Sequence, residues 1–224
     1  MRIKSEVKSH FAAILPKNME TLPVDRRGFP VPWFVFFDDS GEPDFRVLRE
    51  RGREIAIKKR LCWICGKVLG RTLVFVSGPM CGISGVSAEP PSHWECARFS
   101  ALACPFLTLP KAVRREAGLP DGTAAIAGKV NMIMRNPGVA MLWYTHSYQI
   151  LMTGNDFVVL MGEPIKIEWY AEGRLAFRSE VEESVRTGLP ILMDPGTNPA
   201  VEDPRERERL KVQLDFLTTT FPQS

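Results

Sequence analysis

No part of the chain offers the roughly twenty consecutive apolar residues that a bilayer-spanning helix needs, so a helical membrane protein is excluded. The opening "MRIKSEVKSHFAAILPK" has polar residues throughout and lacks the apolar middle and small-residue cleavage site of a secretory leader. A reducing cytoplasm is therefore the expected setting, and there close cysteine pairs are metal ligands more often than disulfides. Histidine is scarce: His10, His93 and His146 are the whole supply, so few residues are candidates for a histidine base. Net charge is only +3, too little to demand a nucleic-acid partner on balance alone. There is no internal repeat.

What is present looks globular. At 45% hydrophobic and 25% charged residues the composition is ordinary for a folded domain. A chain of 224 residues fits one large domain or two small ones and can bury a core without staples. Eighteen prolines and seventeen glycines imply many turns and short elements.

Residues 30–48, "PVPWFVFFDDSGEPDFRVL", read as a hairpin around the turn "DDSGEPD". "RERGREIAIKKR", 49–60, is dense in lysine and arginine and reads as a short helix weakened by Gly52. "TLVFV", 72–76, is a strand, and the glycine-rich "SGPMCGISG" follows it. "SHWECARFSALAC", 92–104, is a helix stopped by Pro105, and "KAVRREA" is another, ended by Gly118. From residue 139 strands dominate: "VAMLWYTH", "YQILM", "FVVLM" and "IKIEWY". A helix over 176–188 is closed by Gly188 and Pro190, 194–204 is a linker, and a last helix runs over 204–217 with Asp203 as N-cap and Pro204 at its first position. The expectation is an α+β fold with antiparallel strands and short helices. It has a metal-binding region with the hairpin over 1–120 and a β-rich region over 121–224, joined by a soft boundary or forming one domain.

All five cysteines lie between 62 and 104. "CWICGKVLG" sets Cys62 and Cys65 three apart with Gly66 behind them, which suits the tight turn of a zinc knuckle. A redox C-x2-C needs a strand before it and a helix after it, and here a glycine and a strand follow instead. The second half is "PPSHWECA". Ser92 and Glu95 have capping-box spacing, so a helix starting just before His93 would point His93 and Cys96 the same way. Cys62, Cys65, His93 and Cys96 then form the two close pairs of a tetrahedral zinc site. With a hairpin over about 68–86 between the pairs, the result is a treble-clef zinc finger. Cys81 is weighed as a substitute for His93 or as a lone thiol, with inert burial preferred; Cys104 is expected to pack in the core.

Four good ligands make a closed, structural site, because a catalytic zinc keeps a position open for water. The deaminase pattern is half matched: "HWE" is there, but the C-x2-C lies upstream of it. An HNH nuclease would need a histidine base on the hairpin, and residues 66–92 contain no histidine.

"RGFPVPWFV", "CWICGKVLG", "FVSGPMCGISGVSAEPPSHWECARFSALACPFL" and "EWYAEGRLAFRSEVEESVRTGLPIL" resemble a group of uncharacterised proteins encoded in bacteriophage and bacterial genomes. The likeness spans about residues 20–193. It implies a phage or mobile-element context, carries no catalytic residues with it, and draws notice to Cys81, Glu89 and Pro90.

Three kinds of function remain open. The first is a zinc-stabilised binding protein acting on nucleic acid or a host protein. Arg53, Lys58, Lys59, Arg60, Lys67 and Arg71 are its candidate phosphate contacts, weighed against a solvated helix face diluted by Glu50 and Glu54. Trp143, Tyr144 and Tyr148 would stack bases, unless they are strand core. The second is an enzyme, a nuclease first, drawing on Cys81, Glu89, His146 and Glu168. The third is an assembly module using Glu180, Glu182, Glu183 and the mixed-charge C-terminal helix.

Overall fold

The computed structural model describes residues 7–109 and 136–223. The helix expected at "KAVRREA" and the boundary expected at 120/121 lie outside these residues. The fold is α+β, with antiparallel sheets and short helices, as expected.

After a short helix α1 (Ser9–Ala12), the aromatic run forms β1 (Val35–Phe37), paired antiparallel with β2 (Pro43–Leu48) across the Asp38–Glu42 turn. Helix α2 (Gly52–Lys59) starts after Arg51 and is closed by Arg60, both in the left-handed region. It turns Gly52, Arg53 and Ala56 inward. Strand β3 (Leu73–Ser77) follows as expected.

The glycine-rich segment is not a hairpin turn. It folds as α3 (Pro79–Ser84), with Pro79 at its first position and Gly85 (φ +74°) closing it. β4 (Val86–Ser87) then joins a different sheet from β3. The hairpin expected over 68–86 is therefore not formed. Next come α4 (Trp94–Ala103) and α5 (Pro105–Thr108).

The strands after 139 are β5 (Ala140–Thr145), β6 (Tyr148–Thr153), β7 (Asp156–Met161), β8 (Pro164–Ala171) and β9 (Arg174–Leu175). Sheet order is β3-β5-β8-β9 in one sheet and β4-β7-β6 in another. β3 thus pairs with a strand from the far side of the expected boundary.

Helix α6 (Arg178–Leu192) runs through Gly188 and Pro190, where closure was expected. Pro190 forfeits one backbone hydrogen bond to the preceding turn, and buried Leu192 holds the last turn against the core. Asp203 caps α7 (Pro204–Thr218) by accepting from the Arg205 amide, and Pro204 is its first residue, both as expected.

The central strand β5 is buried along its whole length. Met141 and Trp143 face a core closed by α3, α6 and α7, while Ala140, Leu142 and Tyr144 face Ala97 and Ala101 of α4. Cys62, Cys65 and Cys96 belong to a third cluster with Met19, Leu73 and Phe99. Helix α4 therefore has the sheet on one side and this cysteine cluster on the other. Among the described residues no helix is long and apolar enough to cross a membrane.

Candidate metal centre

The first ligand pair sits in a closed turn. The Cys62 amide donates to the Lys67 carbonyl at 2.7 Å, and the Gly66 amide donates to the Cys62 carbonyl at 2.9 Å. Gly66 has φ +72°, and a Cβ there would lie 2.5 Å from Trp33 Cδ1. Glycine is thus required twice, by backbone conformation and by the indole packed on it. The turn is moored to the chain before it: the Trp33 amide donates to the Ile64 carbonyl at 2.7 Å, and Phe34 stacks on Trp63 at 4.8 Å.

The second pair sits at the start of α4, but not through the expected capping box. Ser92 is tied to β3, donating to the Val74 carbonyl at 2.8 Å and accepting from the Val74 amide at 2.9 Å. Its amide is therefore unavailable to Glu95. The helix begins one residue later, with His93 as N-cap. The His93 amide points to Cys62 Sγ at 3.4 Å, as does the Cys65 amide at the same distance.

The donor atoms of Cys62, Cys65, His93 and Cys96 all lie within 4.8 Å of one another. No disulfide joins any of these cysteines. A tetrahedral ion with metal–sulfur bonds of about 2.3 Å spaces its sulfurs about 3.8 Å apart, inside that limit. His93 Nδ1 is 3.3 Å from Cys65 Sγ, and its Nε2 is 2.9 Å from the Val68 carbonyl oxygen. A carbonyl only accepts, so Nε2 carries a proton, and Nδ1 is the ring nitrogen that faces the sulfurs. This carbonyl support of the second ring nitrogen is the usual partner arrangement of a metal-bound histidine. Three sulfurs and one nitrogen, buried except for the half-buried imidazole, can hold a metal ion.

The protonation pattern agrees. Burial opposes a charge on Cys62, but hydrogen bonds from Cys65, Cys96 and His93 outweigh it and hold that thiol far below its ordinary range. Hydrogen bonding to Cys62 and Cys65 drives Cys96 upward and pushes His93 up to about 10. Protons gather around a thiolate, and a divalent cation would replace them.

Knuckle and helix start are two of the three parts of a treble clef. In place of the third, β3 runs into the main sheet. Cys81 lies outside the cluster, its thiol pushed up to about 11 by burial. It is therefore neither the fourth ligand nor a thiolate. Cys104 is half-buried at the joint of α4 and α5 and is likewise raised by burial.

Among the candidate phosphate contacts, Arg53 is misplaced. It is 7% exposed. Its guanidinium pairs with Asp156 at 2.7 Å, donates to the carbonyls of Ala88 and Phe157, and lies 4.4 Å from the Phe157 ring centre. It joins α2 to β7 and is buried away from any phosphate. Lys58, Lys59, Arg60, Lys67 and Arg71 are all exposed. None of the five enters an ion pair among the described residues, whereas Arg26, Arg174, Arg178, Arg186, Arg205 and Arg209 are each paired with a carboxylate. Backbone contacts hold two of these cations at the knuckle: Leu69 donates to the Arg60 carbonyl at 2.8 Å and Cys62 donates to that of Lys67, while the Arg71 carbonyl lies 3.4 Å from His146 Nδ1.

The remaining candidates are scattered. Glu168 accepts from Tyr144 at 2.6 Å and pairs with Lys166 at 2.7 Å. His146 sits by Arg71, away from Glu168's hydrogen bonds. Glu89 keeps surface open to water beside the buried Ala88 and Pro90. Desolvation pushes its carboxyl up to about 6, against the pull of the Trp63 side chain and the Arg53 charge. Trp143 and Tyr144 are core residues, and Tyr148 packs edge-on against Phe75, so these rings offer no face for a base. Two features escaped the sequence reading: the Val68 carbonyl behind His93, which is backbone and leaves no residue signature, and Trp33, whose spacing from Gly66 obeys no motif.

No family model, curated protein or solved structure matches the chain.

Proposed function

We propose that this chain is a zinc-stabilised nucleic-acid-binding protein of the phage or mobile-element type, in which the metal is structural and the knuckle presents the binding surface. Zinc is the ion best suited to three thiolates and an imidazole in a tetrahedral, redox-inert site, and four protein ligands leave no position for catalytic water. The observation that carries the nucleic-acid reading is the cluster of cations without carboxylate partners at Lys58, Lys59, Arg60, Lys67 and Arg71. These five exposed cations enter no ion pair among the described residues and lie along the end of α2 and the knuckle loop, which suits a polyanion.

Protein purified without added metal should contain about one equivalent of zinc, one ion per four-ligand site. Binding to labelled DNA or RNA should weaken steeply with salt, with a log–log slope of about −0.9 per phosphate contact on duplex DNA. Replacing Lys58, Lys59 and Arg60 with alanine should flatten that slope by up to about three. Metal-free, fully folded protein would refute the zinc. Absence of binding at low salt would refute the nucleic acid and turn attention to a host-protein partner.

A further inference from the structure

The surface around His93 carries more than charge. Three of the five tryptophans have buried rings (Trp63, Trp143 and Trp169), and Trp33 is packed against Trp63 and Arg49. Trp94 is different. It is 45% exposed, directly follows a candidate metal ligand, and makes no aromatic or cation–ring contact among the described residues. Val68 is 70% exposed, and its carbonyl holds the His93 ring. An apolar side chain and an indole therefore flank the one ligand that reaches the surface. Lys67 adjoins Val68, Arg71 follows within the same loop, and Arg98 lies one turn after Trp94 on the same face of α4.

An exposed indole beside exposed cations presents a flat apolar face and positive charge together, a combination that suits a flat, anionic ligand. A duplex keeps its bases stacked inward and offers such a surface only phosphates. A single strand offers both phosphates and free base faces, and base–aromatic stacking is indifferent to sequence. We infer that the knuckle surface binds single-stranded nucleic acid, with one base stacked on Trp94 and the flanking phosphates held by Lys67 and Arg71. This rests on the nucleic-acid reading above and narrows it to a strand type.

The test uses the full-length zinc-loaded protein with a short oligothymidylate and the corresponding duplex. Trp94 is the tryptophan with an open face, so the single strand should quench intrinsic fluorescence and the duplex should not. Trp94→Ala should lower single-strand affinity by about 5- to 150-fold, the measured range for losing one stacked base, so that the preference over duplex collapses. Trp94→Phe should restore most of it. Zinc content confirms that each variant is folded. Equal affinity for strand and duplex, without quenching, overturns this inference but leaves the nucleic-acid reading standing. Binding to neither overturns both.

Discussion

Removing Arg53 should cost stability and leave binding untouched. Its guanidinium is buried against Asp156, two carbonyls and the Phe157 ring. Deleting one partner of such a pair costs about 3 kcal/mol, the low end for buried pairs because Asp156 keeps some contact with water. Urea denaturation of Arg53→Ala should show that loss, and the salt slope of nucleic-acid binding should not change. Glu89 gives a second test at this scale. Its folded pKa of about 6 lies above the ordinary 4.5, so folding favours its protonated form. The associated stability is complete below pH 4.5 and is lost as pH rises through 6. Glu89→Gln escapes the loss, so its gain in melting temperature should be larger at pH 8 than at pH 5. The grouping of Cys62, Cys65, His93 and Cys96 was legible in the sequence because the spacing within each pair is local and the chemistry narrow. The burial of Arg53 was not, because an arginine in a run dense in lysine and arginine reads as part of a solvated face. The helix turns its Gly52–Arg53–Ala56 stripe inward, and only contact with β7 explains that choice.

At the scale of elements, the Cys62, Cys65, His93 and Cys96 cluster brings together a knuckle, a helix start and, through the Val74–Ser92 bridge, the strand β3. No covalent bond does this work, since the cysteines are free. Chelating the metal should therefore loosen these segments first. Hydrogen exchange after chelation should accelerate at the amides of residues 61–69 and 92–97, while those of α7 lag behind. Unchanged protection across the knuckle would mean that the ion is not structural. The strands, α7 and its cap were readable from alternation and from the Asp203–Pro204 pair, which are local signals. The capping box at Ser92 misled because the same residue also suits a bridge to Val74, and the bridge consumes the amide that the box needs. The hairpin over 68–86 misled for a related reason. A strand followed by glycines resembles half a hairpin when its true partner is far away in sequence.

For the whole molecule, that distant partner is β5, which runs between α4 on one face and α3, α6 and α7 on the other. Mixed α+β class could be read from element types; which strand neighbours which could not, because pairing across a long separation is decided by two-sided burial and not by any nearby residue. Strand β5 reads as uniformly apolar, which fits a covered strand but names no neighbour. The connectivity also sets an order of manufacture. All four ligands, and Trp33 beneath the knuckle, are translated before Ala140. A chain emerging from the ribosome therefore owns a complete metal site while β3 still lacks the strand that will cover its edge. An ion taken up by the proposed site during synthesis would hold β3 ready for a partner yet to be made.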